Sequence, residues 1–226
     1  MRNARIVMRT GTVAFAEAGG DLLALHEPDV EAFPFSLLVA SVPPVDDLRI
    51  GDGVVEAAGR RLAARAVPPA VPRPPGVDAP VMLRALDDVP GLASRRQALG
   101  DPDDPERLLG RGPGLTPSGD DLLLGWLAMA AHAHREWGLP DPGPLAARLA
   151  ERAPGRTTRV AAAMYAAAAR GRYAPAVGAA CSAGAAELPA ALARLAAVGA
   201  TSGLDTLAGV AAAARGVSPR GAAGPA

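Results

Sequence analysis

Residues 67–80 read VPPAVPRPPGVDAP, with six prolines in fourteen positions. Each proline fixes φ and removes an amide donor, so this stretch cannot sit inside a helix or a central strand; proline-rich chain stays extended and semi-rigid. It separates two unlike parts of the chain and is read as a linker. The spacing predicts a β-rich domain over residues 1–75, with the linker at about 67–80. A helical domain over 80–216 follows, then a frayed Gly- and Pro-rich tail over 217–226.

On the N-terminal side stand short β-type runs, RIVMRTGTVAFAE (5–17), DLLALHE (21–27), FSLLVASV (35–42) and DGVVEAAG (52–59), separated by Gly, Pro and Asp turn signals. They predict a small, mostly antiparallel β domain. On the C-terminal side Ala and Leu recur at helical spacing, interrupted at DVPG, GDPDDP, GRGPG, GLPDPGP, APG and ELP. The fold class read from this is α+β, with the helical part the larger.

The 23 basic residues, all arginine, balance 23 acidic ones and are scattered along the chain. A nucleic-acid partner would call for a basic patch, so the expected partners are small molecules or proteins. A single cysteine, Cys181, excludes an internal disulfide and a cysteine-rich metal site. It reads as a buried filler rather than a nucleophile. The longest apolar stretches fall short of the ~18 to 20 residues that span a bilayer, and the N-terminus lacks the continuous apolar core of a secretory signal. The expected location is the cytoplasm, with no membrane partner.

Directly ahead of the most apolar helix lies GRGPGLTPSGDDLLLG, residues 110–125. One reading is capping alone. Thr116 would be N-cap with Pro117 at the first helical position, or Ser118 would cap with Asp121 three residues on, and both aspartates would favour the positive end of the helix dipole. Capping does not account for Gly112, Gly114 and Gly119, which would let an anion approach backbone N–H groups. A nucleotide-binding phosphate loop fails, because Asp120 and Asp121 stand where Lys and Ser or Thr belong. Aspartates beside an anion call for a hard cation such as Mg²⁺, or else one of them orients or deprotonates an amide nitrogen.

The feature recurs near the C-terminus in GATSGLDTLAG, residues 199–209. Ser202-Gly203-Leu204-Asp205 aligns with Ser118-Gly119-Asp120-Asp121, a glycine follows four residues after Asp121 and after Asp205 (Gly125, Gly209), and a threonine precedes each copy (Thr116, Thr201). Asp121 and Gly125 share a helix face, as do Asp205 and Gly209. The pattern therefore predicts that two helix N-termini meet, each presenting a hydroxyl and a carboxylate. Between the copies, Arg156, Thr157, Thr158 and Arg159 open an alanine-rich helix. Arginine at the positive end of a helix dipole is explained either by an anion gripped in its planar fork or by surface ion pairs. His26, His132 and His134 form no argued metal cluster or triad, and Trp126 and Trp137 read as packing residues.

GRGPGLTPSGDDLLLG, RTTRVAAAMYAAAARGRY and GATSGLDTLAG, in this order and at this spacing, resemble the H subunit of oxamate carbamoyltransferase over about residues 105–216. The resemblance implies carbamoyl transfer between oxalurate with phosphate and oxamate with carbamoyl phosphate, in an assembly with two other kinds of subunit. It implies no residue roles; those come from the motifs. In the resulting hypothesis, backbone N–H groups around Gly112, Gly114 and Gly119, with Thr116 and Ser118, hold a phosphate-like group. Arg156 or Arg159, with Thr157 and Thr158, grips an oxamate-like carboxylate, and Thr201, Ser202 and Gly203 line the opposite side. Asp120, Asp121 and Asp205 are the catalytic candidates, with Asp121 and Asp205 as the ligands of a Mg²⁺ or as the groups that orient the amide. The rival reading is a non-catalytic, anion-binding or scaffolding subunit of the same kind of enzyme.

Overall fold

The structure, a computed structural model, describes residues 1–100, 102 and 104–216. The tail expected at 217–226 lies outside these residues. By internal contacts the chain forms two units, Met1–Pro69 and Ala70–Ala226.

The first unit is all strand: β1 (Arg2–Thr10), β2 (Val13–Ala18), β3 (Asp21–His26), β4 (Ser36–Val39), β5 (Asp47–Gly51), β6 (Val54–Ala57) and β7 (Arg60–Ala66). Neighbouring strands pair in the order β1-β2-β3-β4-β7-β6-β5 and close on β1 through the β1–β5 ladder. The expected antiparallel sheet is thus a closed barrel, antiparallel throughout except where β3 runs parallel to β4. Closure removes exposed edges. Alternation turns Ala4 and Ile6 of β1, Ala14, Ala16 and Ala18 of β2, and Leu48 and Ile50 of β5 into one core. Small side chains dominate that core and suit a narrow barrel. The β5–β6 hairpin turns at Asp52-Gly53, both with positive φ (54° and 72°), the Asp-Gly arrangement that matches strand twist.

His26 is consumed by this fold. Its Nδ1 donates to Glu27 O (2.9 Å), while Ser36 Oγ lies 2.8 Å from Nε2 and accepts from Phe33 N. The ring ties the two parallel strands together.

The second unit is helical: α1 (Ala79–Asp87), α2 (Leu92–Leu99), α3 (Pro105–Leu108), α4 (Ser118–Ala133), α5 (Gly143–Arg152), α6 (Arg159–Ala168), α7 (Pro175–Ser182), α8 (Leu188–Ala196) and α9 (Ser202–Gly216). Residues 70–78 of the proline-rich stretch pack within this unit. Ala70 exchanges both backbone hydrogen bonds with Tyr173, and Gly76 runs against the backbone of Ala183. Asp78 then caps α1, accepting from Val81 N at 2.8 Å.

At the centre stands α4, buried on nearly every side from Gly119 to Ala133, as its apolar sequence requires. Its main partner is α9. The two approach backbone to backbone because each has a glycine at the crossing. A Cβ on Gly125 would strike Thr206 O, and one on Gly209 would strike Leu122 O.

Candidate active site at two crossed helix starts

The two S-G-x-D segments occupy equivalent places. Gly119 packs against the last carbonyl of α3, Leu108 O, and donates its N–H to Arg111 O (2.8 Å). Gly203 packs against Leu195 O, in the last turn of α8, and donates to Val198 O (3.0 Å). Both glycines are needed because a side chain there would enter a neighbouring backbone. The second glycine of each copy then brings α4 onto α9. Each copy thus has one glycine for the helix before it and one for the helix across from it.

Capping does not describe the first copy. The N-cap of α4 is Pro117, without a side-chain cap, and Pro117 O takes the N–H of both Asp120 (2.9 Å) and Asp121 (3.0 Å). The hydroxyls expected to cap are spent across the helix pair. Thr116 Oγ1 lies 3.0 Å from Ser202 Oγ, and both hydroxyls sit beside Asp121 and act to lower its pKa. Ser118 Oγ accepts from Arg95 Nη2 at 3.2 Å.

Arg95, in α2, is the residue that sequence reasoning missed. Its Nε and Nη2 lie 2.6 and 2.5 Å from Oδ1 of Asp205, which is wholly buried. Arg95 therefore joins the two copies, touching Ser118 of one and Asp205 of the other. Nothing in LASRRQAL marks it out, since α2 has little amphipathic pattern to orient its arginines.

The adjacent aspartates of α4 face different ways. Asp120 is fully enclosed by donors: Oδ1 accepts from Gly110 N (2.9 Å) and from the Tyr165 hydroxyl (2.9 Å), and Oδ2 from Thr157 Oγ1. Burial still pushes its carboxyl above the ordinary range, although these three bonds oppose that. Among the described residues, Asp121 and Asp205 each keep one buried oxygen, Oδ2, without a partner. For Asp121, burial is the chief cause that pushes the carboxyl up to about 8, against the hydroxyls of Ser202 and Thr116, with the Asp205 and Asp120 charges adding to the rise.

This carries a pH signature. Between the ordinary carboxylate range and about 8 the folded protein holds a proton on Asp121 that the unfolded chain releases, so stability falls as pH rises through that window. Thermal melts from pH 5 to 9 should show the decline. Asp121→Asn should flatten it, so that the variant gains on the wild type toward alkaline pH; two parallel curves would count against the assignment.

The remaining predicted residues fall around this centre. Thr158 caps α6, accepting from Ala161 N (3.1 Å), and holds the loop before α4 by donating to Leu115 O (2.6 Å). Arg156 binds Glu106, through the backbone carbonyl at 3.0 Å and the carboxylate at 3.8 Å, which is the surface ion-pair reading of that arginine. Arg159 and Thr201 are exposed at the starts of α6 and α9, and Gly112 and Gly114 are exposed with φ of 112° and 101° in the loop leading to α4. Of the amides expected to cradle an anion, that of Gly119 is committed to Arg111. A divalent ion fits poorly: among the described residues no three His, Cys, Asp or Glu gather as a ligand set, and the Arg95 guanidinium already sits on Asp205.

Other candidates lie away from the aspartates. A cavity of about 390 Å³ near the C-terminal end of α4 is lined by His132, His134, Arg73, Asp141 and Tyr173. His132 Nδ1 donates to Ala128 O (2.8 Å), and burial lowers its pKa, keeping it neutral. Cys181 is buried, with its thiol pushed up to about 12, and is chemically quiet. Trp126 and Trp137 pack at the edge of the core.

These features define a helical domain whose polar site is built from a duplicated helix start and centred on a buried acid pair. Residues 108–214 match the family of the oxamate carbamoyltransferase subunit AllH. The match takes in Asp120, Asp121 and Asp205 and both helix starts, and leaves outside it Arg95 and the barrel. No curated protein and no solved structure matches the chain. No helix among the described residues is long and apolar enough to cross a membrane.

Proposed function

We propose that this chain is a cytoplasmic subunit of a carbamoyltransferase that moves a carbamoyl group between oxalurate with phosphate and oxamate with carbamoyl phosphate. It would work beside two other kinds of subunit. The family match supports the reaction class. The observation that carries the placement is the pair of crossed S-G-x-D starts, which bury Asp121 and Asp205 while leaving one oxygen of each unanswered. An unpaired buried acceptor costs about 1–3 kcal/mol, and a substrate that supplies the missing partner would recover it.

In this reading the residues act by holding and orienting, since no strong nucleophile is present at the site. Asp205, ion-paired with Arg95, orients the amide nitrogen. Asp121, protonated at neutral pH, gives a proton to that nitrogen as the C–N bond of oxalurate breaks. A phosphate oxygen forms the new bond to the carbamoyl carbon, and its proton returns to Asp121. Thr116, Ser118 and Ser202 keep the two carboxyls in register.

The test is phosphate-dependent cleavage of oxalurate, assayed with this chain alone and with its two presumed partner subunits. Turnover in the assembly should fall at least tenfold in Asp121→Asn and in Asp205→Asn while the melting curves stay cooperative. Wild-type turnover in both variants would refute the placement. Cleavage that proceeds without this chain would favour the scaffolding alternative.

A further inference from the structure

The acid pair has a third member that neither the motifs nor the family match includes. Arg95 uses Nε and Nη2 on Asp205 and Ser118, and among the described residues its Nη1 makes no hydrogen bond or ion pair. Its side chain is 28% exposed, whereas that of Asp205 is 0% exposed. The guanidinium thus reaches from the buried Asp205 toward the surface. Ser118, which it contacts, is half-buried, as are Thr116 and Ser202.

Resting on the carbamoyltransferase reading, we propose that Asp121 Oδ2, Asp205 Oδ2 and Arg95 Nη1 form a receptor for a compact molecule that carries a primary amide directly beside a carboxylate. The two carboxyl oxygens take the amide face and the guanidinium takes the carboxylate, so Arg95 determines specificity.

The donor and acceptor inventory matches one class of ligand. Asp121, protonated at neutral pH because burial disfavours its charge, can donate to the amide carbonyl. Asp205, held in the ion pair, accepts from the amide N–H. A guanidinium presents N–H groups in a planar fork suited to a carboxylate. The amides of Gly119, Asp120, Asp121, Gly203 and Asp205 are already committed to Arg111, Pro117, Val198 and Thr201 carbonyls. The arginines first expected to hold the carboxylate give way to Arg95 in this arrangement, for Arg156 is engaged with Glu106.

Three probes separate the contributions: oxamate has both groups, oxalate lacks the amide and oxamide lacks the carboxylate. Titrated calorimetrically into the full-length chain, oxamate should bind at least tenfold tighter than either. Arg95→Gln should bring oxamate down to the level of oxamide, with partial rescue by Arg95→Lys. Asp205→Asn should abolish the preference for oxamate over oxalate. These ratios compare ligands on one folded protein, so a loss of stability alone does not move them. Equal binding of the three probes, no binding of any, or ratios that survive in the variants would overturn the receptor. The two proposals fail separately. The oxamate preference without carbamoyl transfer in the reconstituted assembly would refute the proposed reaction, and transfer without the preference would refute the receptor alone.

Discussion

Gly125→Ala should destabilise the helical unit by about 3 kcal/mol, with a fall in melting temperature of roughly 6–12 °C for a chain of this length. The sign runs against local expectation. In an exposed helix interior the same change is favourable by about 0.8–1 kcal/mol, because alanine loses less backbone freedom than glycine. Here the added methyl would enter the carbonyl of Thr206 on the facing helix. Backbone cannot rotate away as a long side chain could, so α4 and α9 must separate. That separation opens the core between them and moves Asp121 away from Ser202. Gly209→Ala should behave alike, because its methyl would enter Leu122 O at the same crossing. The double variant should cost less than the sum, since one separation relieves both clashes. A Gly125→Ala protein as stable as the wild type would show that the helices do not pack backbone to backbone.

Asp120→Ala should cost about 3–5 kcal/mol, measured by denaturant unfolding, because it leaves the buried Tyr165 hydroxyl and Gly110 N–H without their acceptor. Burying this carboxyl is itself costly, as its raised pKa shows, and three donors offset part of that cost. Asp120→Asn keeps one acceptor oxygen and should lose about 1–2 kcal/mol. Tyr165→Phe removes one donor from the same network and should cost about 1 kcal/mol. A loss below about 1 kcal/mol in Asp120→Ala would remove Asp120 from its place as the tie between α4, the Gly110 turn and α6. The contrast with Asp121 is the informative part. Neighbouring aspartates at one helix start should separate into a residue that governs stability and a residue that governs turnover.

Much of this architecture is legible along the chain because it rests on short-range rules. A run of prolines cannot continue a helix or a central strand, so VPPAVPRPPGVDAP marks where strands give way to helices. Periods of two and of 3.6 tell strand from helix without reference to anything distant. The duplicated S-G-x-D with glycine four residues later is equally local. It predicts that two helix starts need close neighbours, and α4 and α9 meet at those glycines. A phenol within an alanine-rich helix, Tyr165, was a signal available and unused, since a buried hydroxyl needs a partner.

The rest depends on which distant groups come together, and no local pattern carries that. Strand runs do not reveal that β3 and β4 lie parallel or that β5 returns to β1, because closure is set by pairing between strands far apart in sequence. Thr116 and Ser118 have the spacing of caps, but the crossing of α9 offers them partners that a lone helix lacks. Asp120 and Asp121 are equivalent as letters. Successive residues on a helix point about 100° apart, and packing alone turns one toward Tyr165 and the other toward Ser202. Arg95 reaches Asp205 across 110 residues of chain, a pairing made by the packing of α2 on α9 and by the need of a buried carboxylate for a counter-charge.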